Sequence, residues 1–115
     1  MKSILQDKRD CQCYICLHLL DRERRYDDLH EHHIFYGIGK RKLSERYGLK
    51  VMLCPYHHIG DIHGNSEAVH FGGRTENIWL KRRAQKAWEQ KYTADPGTEA
   101  AHEQFRQIFG KNYLD

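Results

Sequence analysis

Two pairs of metal-ligand residues constrain this chain more than any other feature of its sequence. Cys13 and Cys16 are separated by two residues, and so are Cys54 and His57. Two ligands at this spacing come from one tight turn, and the four together match a tetrahedral zinc site with zinc–ligand distances of about 2.0 to 2.3 Å. We therefore predict that Cys13, Cys16, Cys54 and His57 bind a structural Zn²⁺. Two unrelated pairs of buried side chains are the alternative interpretation.

Cys11 lies two residues before Cys13 and competes with it as a ligand. We favour Cys13, because two intervening residues are the usual spacing of such a turn, and predict that Cys11 is a free thiol. Four cysteines in a reducing compartment indicate metal ligands rather than disulfides. Structural zinc contributes on the order of 10 kcal/mol to the folding of a small domain.

The length of the chain, 115 residues, predicts a single domain over residues 1–115. Within it we expect a core over residues 11–71, which holds all four cysteines, and a helical extension over residues 74–115. The net charge of +3 permits nucleic-acid binding without demonstrating it. No apolar run is long enough for a membrane span or a secretory signal, so we expect a cytoplasmic protein with no membrane partner.

Local sequence signals predict an α+β fold. Branched and aromatic residues predict a first strand over residues 29–36, and a second apolar strand over 49–53 delivers Cys54 at its end. Between the strands we predict a basic loop and a short helical turn, and Pro55 suits the first position of a helix. Two further helices are predicted over residues 75–92, with Thr75 as N-cap, and over residues 99–109, ending at Gly110.

The histidines left over after the zinc site suggest a second centre. His32 and His33 are adjacent, so in a regular strand they point to opposite faces, and a shared site would need a bulge or a strand end. One imidazole could then hold a divalent cation while the other acts as a base, which suits phosphodiester hydrolysis. A second structural zinc would also explain the surplus. We predict that His18, His30 and His102 are surface or hydrogen-bonded residues and that Trp79 and Trp88 belong to the core.

The order of these motifs resembles the HNH nuclease family in its zinc-stabilised branch. The motifs are Cys13-x2-Cys16, Glu31-His32-His33-Ile34 and Leu53-Cys54-Pro55-Tyr56-His57-His58. The resemblance implies a ββα-metal core and DNA as the partner. It also implies that His33 is the general base and that His32, His58 and His70 hold the catalytic cation, which would be Mg²⁺, Mn²⁺, Ni²⁺ or Zn²⁺. The closest resemblance is to small HNH proteins of phages and prophages, which implies a phage origin and a bacterial host cytoplasm.

Two positions depart from the family pattern. The family's middle Asn is replaced by Leu49, and Lys50, Tyr47 or a backbone group is left to orient the base. The third ligand of the cation is either His70, which we prefer because it matches the phage group's Val-His element, or His63. On a regular helix, five residues turn through about 140° from the starting direction, so His58 and His63 would not face one ion.

The resemblance favours a metal-dependent DNA endonuclease. Lys40, Arg41 and Lys42 are then expected to contact phosphates, which would make binding strongly salt-dependent. The alternative is a non-catalytic zinc module that binds nucleic acid or a partner protein, an interpretation motivated by the missing Asn. A zinc hydrolase acting on a small substrate has less support, because the chain has no His-Glu-x2-His motif. The sequence does not determine an oligomeric state.

Overall fold

A computed structural model describes residues 1–60 and 67–114, and it confirms a mixed α+β fold. A short 3-10 helix, Lys8–Asp10, precedes seven elements. In chain order they are α1 (Tyr14–His18), β1 (His30–His33), α2 (Lys40–Tyr47), β2 (Lys50–Leu53), α3 (Pro55–His58), α4 (Arg74–Tyr92) and α5 (Glu99–Phe109).

The two strands form an antiparallel hairpin in which His33 pairs with Lys50 and His32 with Val51. The first strand ends three residues earlier than the sequence predicts. Ile34 still donates a backbone hydrogen bond to Leu49, at 3.0 Å. Phe35, however, turns away and binds the buried Ser44 hydroxyl. The N–H of Phe35 donates to this hydroxyl at 2.9 Å, and the hydroxyl donates to the carbonyl of Phe35 at 2.8 Å. These two hydrogen bonds hold Phe35 outside the strand, which ends at His33.

The residues predicted to form a basic loop instead begin the helix α2. Gly39 and Gly48 flank this helix, and both have the left-handed backbone conformation that glycine adopts at low cost. Lys40 lies in the first turn, where its Nζ donates to the carbonyl of Phe109 at 2.6 Å. The first residue of the basic run therefore caps the C-terminus of α5, while Arg41 and Lys42 are exposed.

The short helices α1 and α3 begin at cysteines. Cys13 is the N-cap of α1, and its Sγ accepts from the Cys16 N–H at 3.5 Å. Cys54 is the N-cap of α3, and Pro55 occupies the first helical turn as predicted. Each of these helices therefore starts directly after a cysteine of the predicted zinc site.

The two long helices were predicted correctly apart from the start of α4. Thr75 lies inside α4 rather than capping it, because the helix begins at Arg74 with Gly73 as N-cap. Trp88 of α4 and Phe105 of α5 are buried in a cluster of apolar side chains that reaches from Cys13 to Phe109. Within residues 1–60 and 67–114, no helix has the length and apolar character that a bilayer span requires.

A buried polar network joins the two long helices. Glu89 is 1% exposed, and its carboxylate accepts hydrogen bonds from the side chains of Gln85 and His102, both at 2.7 Å, and from the Gly97 N–H at 3.0 Å. His102 is therefore hydrogen-bonded, in agreement with one of the two environments predicted for it. The network fixes the turn between α4 and α5, because one carboxylate binds groups on both helices and on the connection.

Candidate functional site

Four donor atoms meet in a buried cluster that joins α1 to the end of β2. The Nδ1 of His57 lies 3.4 Å from the Sγ atoms of Cys16 and Cys54 and 3.9 Å from that of Cys13. The sulfurs of Cys16 and Cys54 are 3.9 Å apart. A zinc tetrahedron with bonds of about 2.0 to 2.3 Å has edges of roughly 3.5 to 3.8 Å, so these separations suit a structural metal ion such as zinc.

The electrostatics of this cluster also suit a cation. A hydrogen bond from Cys13 lowers the pKa of the Cys54 thiol and, with burial, raises the pKa of Cys13. Burial raises the pKa of Cys16, to which the Tyr26 hydroxyl lies close, at 3.4 Å. A bound metal would deprotonate these thiols, because cysteine binds a metal as the thiolate.

Cys11 lies outside this cluster, as predicted. Its Sγ is 3.6 Å from the Arg9 carbonyl, and its residue is half-buried with a positive φ of 56°.

Three histidines form a second cluster on one face of the hairpin. One ring nitrogen each of His32, His58 and His70 lies within 4.8 Å of the others. Burial decreases from His32, which is 2% exposed, through His58 to the exposed His70. Three donor atoms are one fewer than the four protein ligands of a closed structural zinc site.

Backbone hydrogen bonds bring His70 to this cluster. The N–H groups of Val69 and His70 donate to the carbonyls of His57 and His58, at 2.8 and 3.2 Å. Asn77 of α4 donates from Nδ2 to the Val69 carbonyl at 2.6 Å, and the Tyr36 hydroxyl donates to the same carbonyl at 3.2 Å. His63, the alternative third ligand, lies outside the described residues.

The hydrogen bonding and protonation of the donor atoms in this cluster suit a divalent cation. The Nε2 of His32 is buried and has no hydrogen-bond partner among the described residues, a costly arrangement that a metal ion would relieve. Burial lowers the pKa of His32 to about 3 and that of His58 to about 4, and the neighbouring imidazoles add to both shifts. Neutral imidazoles have the free lone pair that a metal ligand needs.

His30 supports this cluster, a role that the sequence did not reveal. It lies two residues before His32 and therefore on the same face of β1. Its Nδ1 is 2.9 Å from the Nδ1 of His58, which leaves the Nε2 of His58 available to a metal. His57 and His58 are consecutive residues, yet they serve the two different clusters.

His33 faces away from the three-histidine cluster, because β1 is regular and contains no bulge. Its Nε2 lies 2.9 Å from Oε2 of Glu45, and Lys50 reaches the same oxygen, also at 2.9 Å. Glu31 is 3.6 Å from Lys50 and completes this third group of polar side chains. The two histidines of the doublet therefore belong to different faces of the hairpin, and the regular strand does not bring them into one site.

Comparison of the chain with protein-family models, with curated proteins and with solved structures finds no match. The resemblance to the HNH family therefore rests on the motifs of the chain itself and stays a prediction.

Proposed function

We propose that this protein is a metal-dependent endonuclease of the HNH type, with a ββα-metal core formed by β1, β2 and α3. The observation that carries the proposal is the cluster of His32, His58 and His70, which gathers three imidazoles, one of them on an exposed residue, with donor atoms within 4.8 Å of one another. Those three residues would hold the divalent cation. When bound, it would neutralise charge on the scissile phosphate and on the leaving oxygen.

The chain's own residues supply the remaining chemistry of the proposed reaction. His33 accepts a proton from water, the water oxygen bonds to phosphorus, and the bond from phosphorus to the 3′ oxygen breaks. The released 3′ oxygen takes a proton from solvent. His33 is the last residue of β1, so the proposal requires the scissile phosphate to bind at this end of the strand, within reach of both His32 and His33.

The basic residues of α2 contribute unequally to DNA binding in this proposal. Arg41 and Lys42 are exposed and are the expected phosphate contacts. Lys40 has a structural role through its bond to Phe109, so we do not expect it to contribute fully. Binding should weaken steeply as the salt concentration rises.

Nicking of supercoiled plasmid tests the proposal. The zinc-loaded protein should nick DNA when Mg²⁺ or Mn²⁺ is added, and His33→Ala should reduce the rate by about 10²- to 10⁴-fold, the usual contribution of a general base. His18→Ala is the control, because His18 belongs to neither cluster. Equal nicking by His33→Ala would contradict the base assignment. No nicking by a folded, zinc-loaded wild type would favour the non-catalytic binding module instead.

A further inference from the structure

We propose that Glu45 is a positioning residue that fixes the tautomer of His33, so that Nδ1 is the atom that accepts the proton from water. This inference rests on the proposed function, because it concerns the base of that reaction. It is carried by the contact between Nε2 of His33 and Oε2 of Glu45, at 2.9 Å.

The contact determines which ring nitrogen carries the hydrogen. The Lys50 ammonium, and after it His33, holds the pKa of the Glu45 carboxyl at about 2, so that carboxylate only accepts hydrogen bonds near neutral pH. A neutral His33 must therefore donate from Nε2. Its Nδ1 keeps the lone pair, and the described residues offer no hydrogen-bond partner to that atom.

Glu45 is itself held in place from three directions, one of them the Met1 ammonium, which donates to its Oε1 at 3.3 Å. Lys50 donates to both of its carboxylate oxygens, at 3.2 and 2.9 Å, and Lys50 is 8% exposed and lies opposite His33 in the hairpin. The preceding residue, Ser44, is fully buried and binds the N–H and carbonyl of Phe35. The helix α2, which carries Glu45, is thus attached to Phe35, two residues after His33.

This arrangement answers the question raised by Leu49 in place of the family's Asn. Lys50 was one of three groups that the sequence left as candidates to orient the base. The contact to His33 is made by Glu45, and Lys50 acts through that carboxylate.

Glu45→Gln tests the inference without changing the size of the side chain. Lys50 can only donate, so it will retain the amide oxygen and leave the amide N–H₂ facing Nε2 of His33, which favours the opposite tautomer. Long-range ¹H–¹⁵N NMR of the zinc-loaded protein identifies the protonated nitrogen. We expect Nε2–H in the wild type and Nδ1–H in the variant, with kcat lowered about 10- to 100-fold and KM changed by less than about threefold.

Glu31→Gln is the matched control. It removes the same charge from the same group of side chains, 3.6 Å from Lys50, but from a residue that makes no hydrogen bond to His33. This variant should keep the wild-type tautomer and rate.

The outcomes separate this inference from the proposed function. Nδ1–H in the wild type overturns the inference regardless of any variant, and so does a Glu45→Gln protein with wild-type kcat. Preferential broadening of the His33 signals by Mn²⁺, relative to those of His58, also overturns it, because the group would then be a cation site. A wild type with Nε2–H that never nicks DNA refutes the nuclease proposal and leaves the tautomer assignment intact.

Discussion

The side chains of the buried cysteine cluster and those of the His33–Glu45 contact are brought together in different ways. The Cys13–Cys16 and Cys54–His57 pairs each come from one turn, so spacing predicted this cluster of four donors and favoured Cys13 over Cys11. The Glu45–His33 contact spans twelve positions and depends on where α2 begins, so no local pattern indicated it. Neighbouring residues in sequence are therefore predictable partners, whereas partners joined by tertiary structure are not.

Cys54, inside the buried cluster, and Cys11, outside it, should differ in their contribution to stability. Cys54→Ser should remove one thiolate from the buried cluster, weaken zinc binding and lower the free energy of unfolding by roughly 3 kcal/mol or more, a share of the site's total of about 10 kcal/mol. Cys11→Ser, the matched control, should change stability by less than about 0.5 kcal/mol, as is usual for a substitution away from special features. Zinc analysis and thermal unfolding measure both effects. Equal zinc contents and melting temperatures in the two variants would contradict the assignment.

Among the elements, the long helices were predictable in type and nearly in their bounds, whereas the end of β1 and the start of α2 were not. Both strands and both long helices were expected from hydrophobic pattern and turn residues. The first strand is shorter because Ser44 binds Phe35, and the basic run is helical because glycines at positions 39 and 48 flank α2. His70 reaches its cluster through backbone pairing with His58, which periodicity does not encode. Contacts between elements set these boundaries.

The end of α2 offers a test of such a contact. A Cβ added to Gly48, which has a φ of +70°, would collide with the backbone carbonyl of Lys2, a segment that packs along β2. Gly97 has a similar φ of +85° and open space around it, so it isolates the cost of the backbone conformation. Gly97→Ala should cost about 1 to 2 kcal/mol, the usual penalty of a left-handed residue.

Gly48→Ala should be more costly than Gly97→Ala by at least about 1 kcal/mol, because the N-terminal segment must also move. Chemical denaturation of the two variants compares these costs. Equal destabilisation would mean that the N-terminal segment contributes nothing to the packing at this position.

In the whole molecule, two polar connections and a layer of apolar packing join the parts of the chain. The cluster of Cys13, Cys16, Cys54 and His57 joins α1 to the hairpin, and the carboxylate of Glu89 joins α4 to α5. Apolar packing between Trp88, Phe105 and Phe35, which follows β1, lies between them. The first connection was foreseen from cysteine spacing. The second was not, because a Glu inside a helix pattern is ordinarily an exposed residue.

Glu89 should make the stability of the protein depend on pH. Burial opposes ionisation of this carboxyl, but hydrogen bonds from Gln85 and His102 outweigh it and hold the pKa below 4.5. Because the folded-state pKa is depressed, the stabilisation is present above the unfolded pKa of about 4.5 and is lost as the pH falls through the folded value.

Glu89→Gln should therefore destabilise the protein by about 2 kcal/mol at pH 7, and the difference from wild type should shrink below about pH 4.5. Comparison with the wild type cancels any loss of metal at low pH that the two proteins share. Glu99→Gln, an exposed acid of α5, is the control. A stability difference that stays constant between pH 7 and pH 4 would show that the Glu89 carboxyl has the same pKa in both states.

The peptide bond that joins His57 to His58 connects two sites of different chemical softness. A cluster with three thiolates selects zinc, whereas an all-imidazole cluster accepts most first-row divalent ions, with zinc bound more tightly than manganese. Zinc would thus complete the fold at one residue and compete with a catalytic ion at the next. The zinc content of each preparation would then control its measured activity. Excess zinc should inhibit the reaction that Mn²⁺ supports.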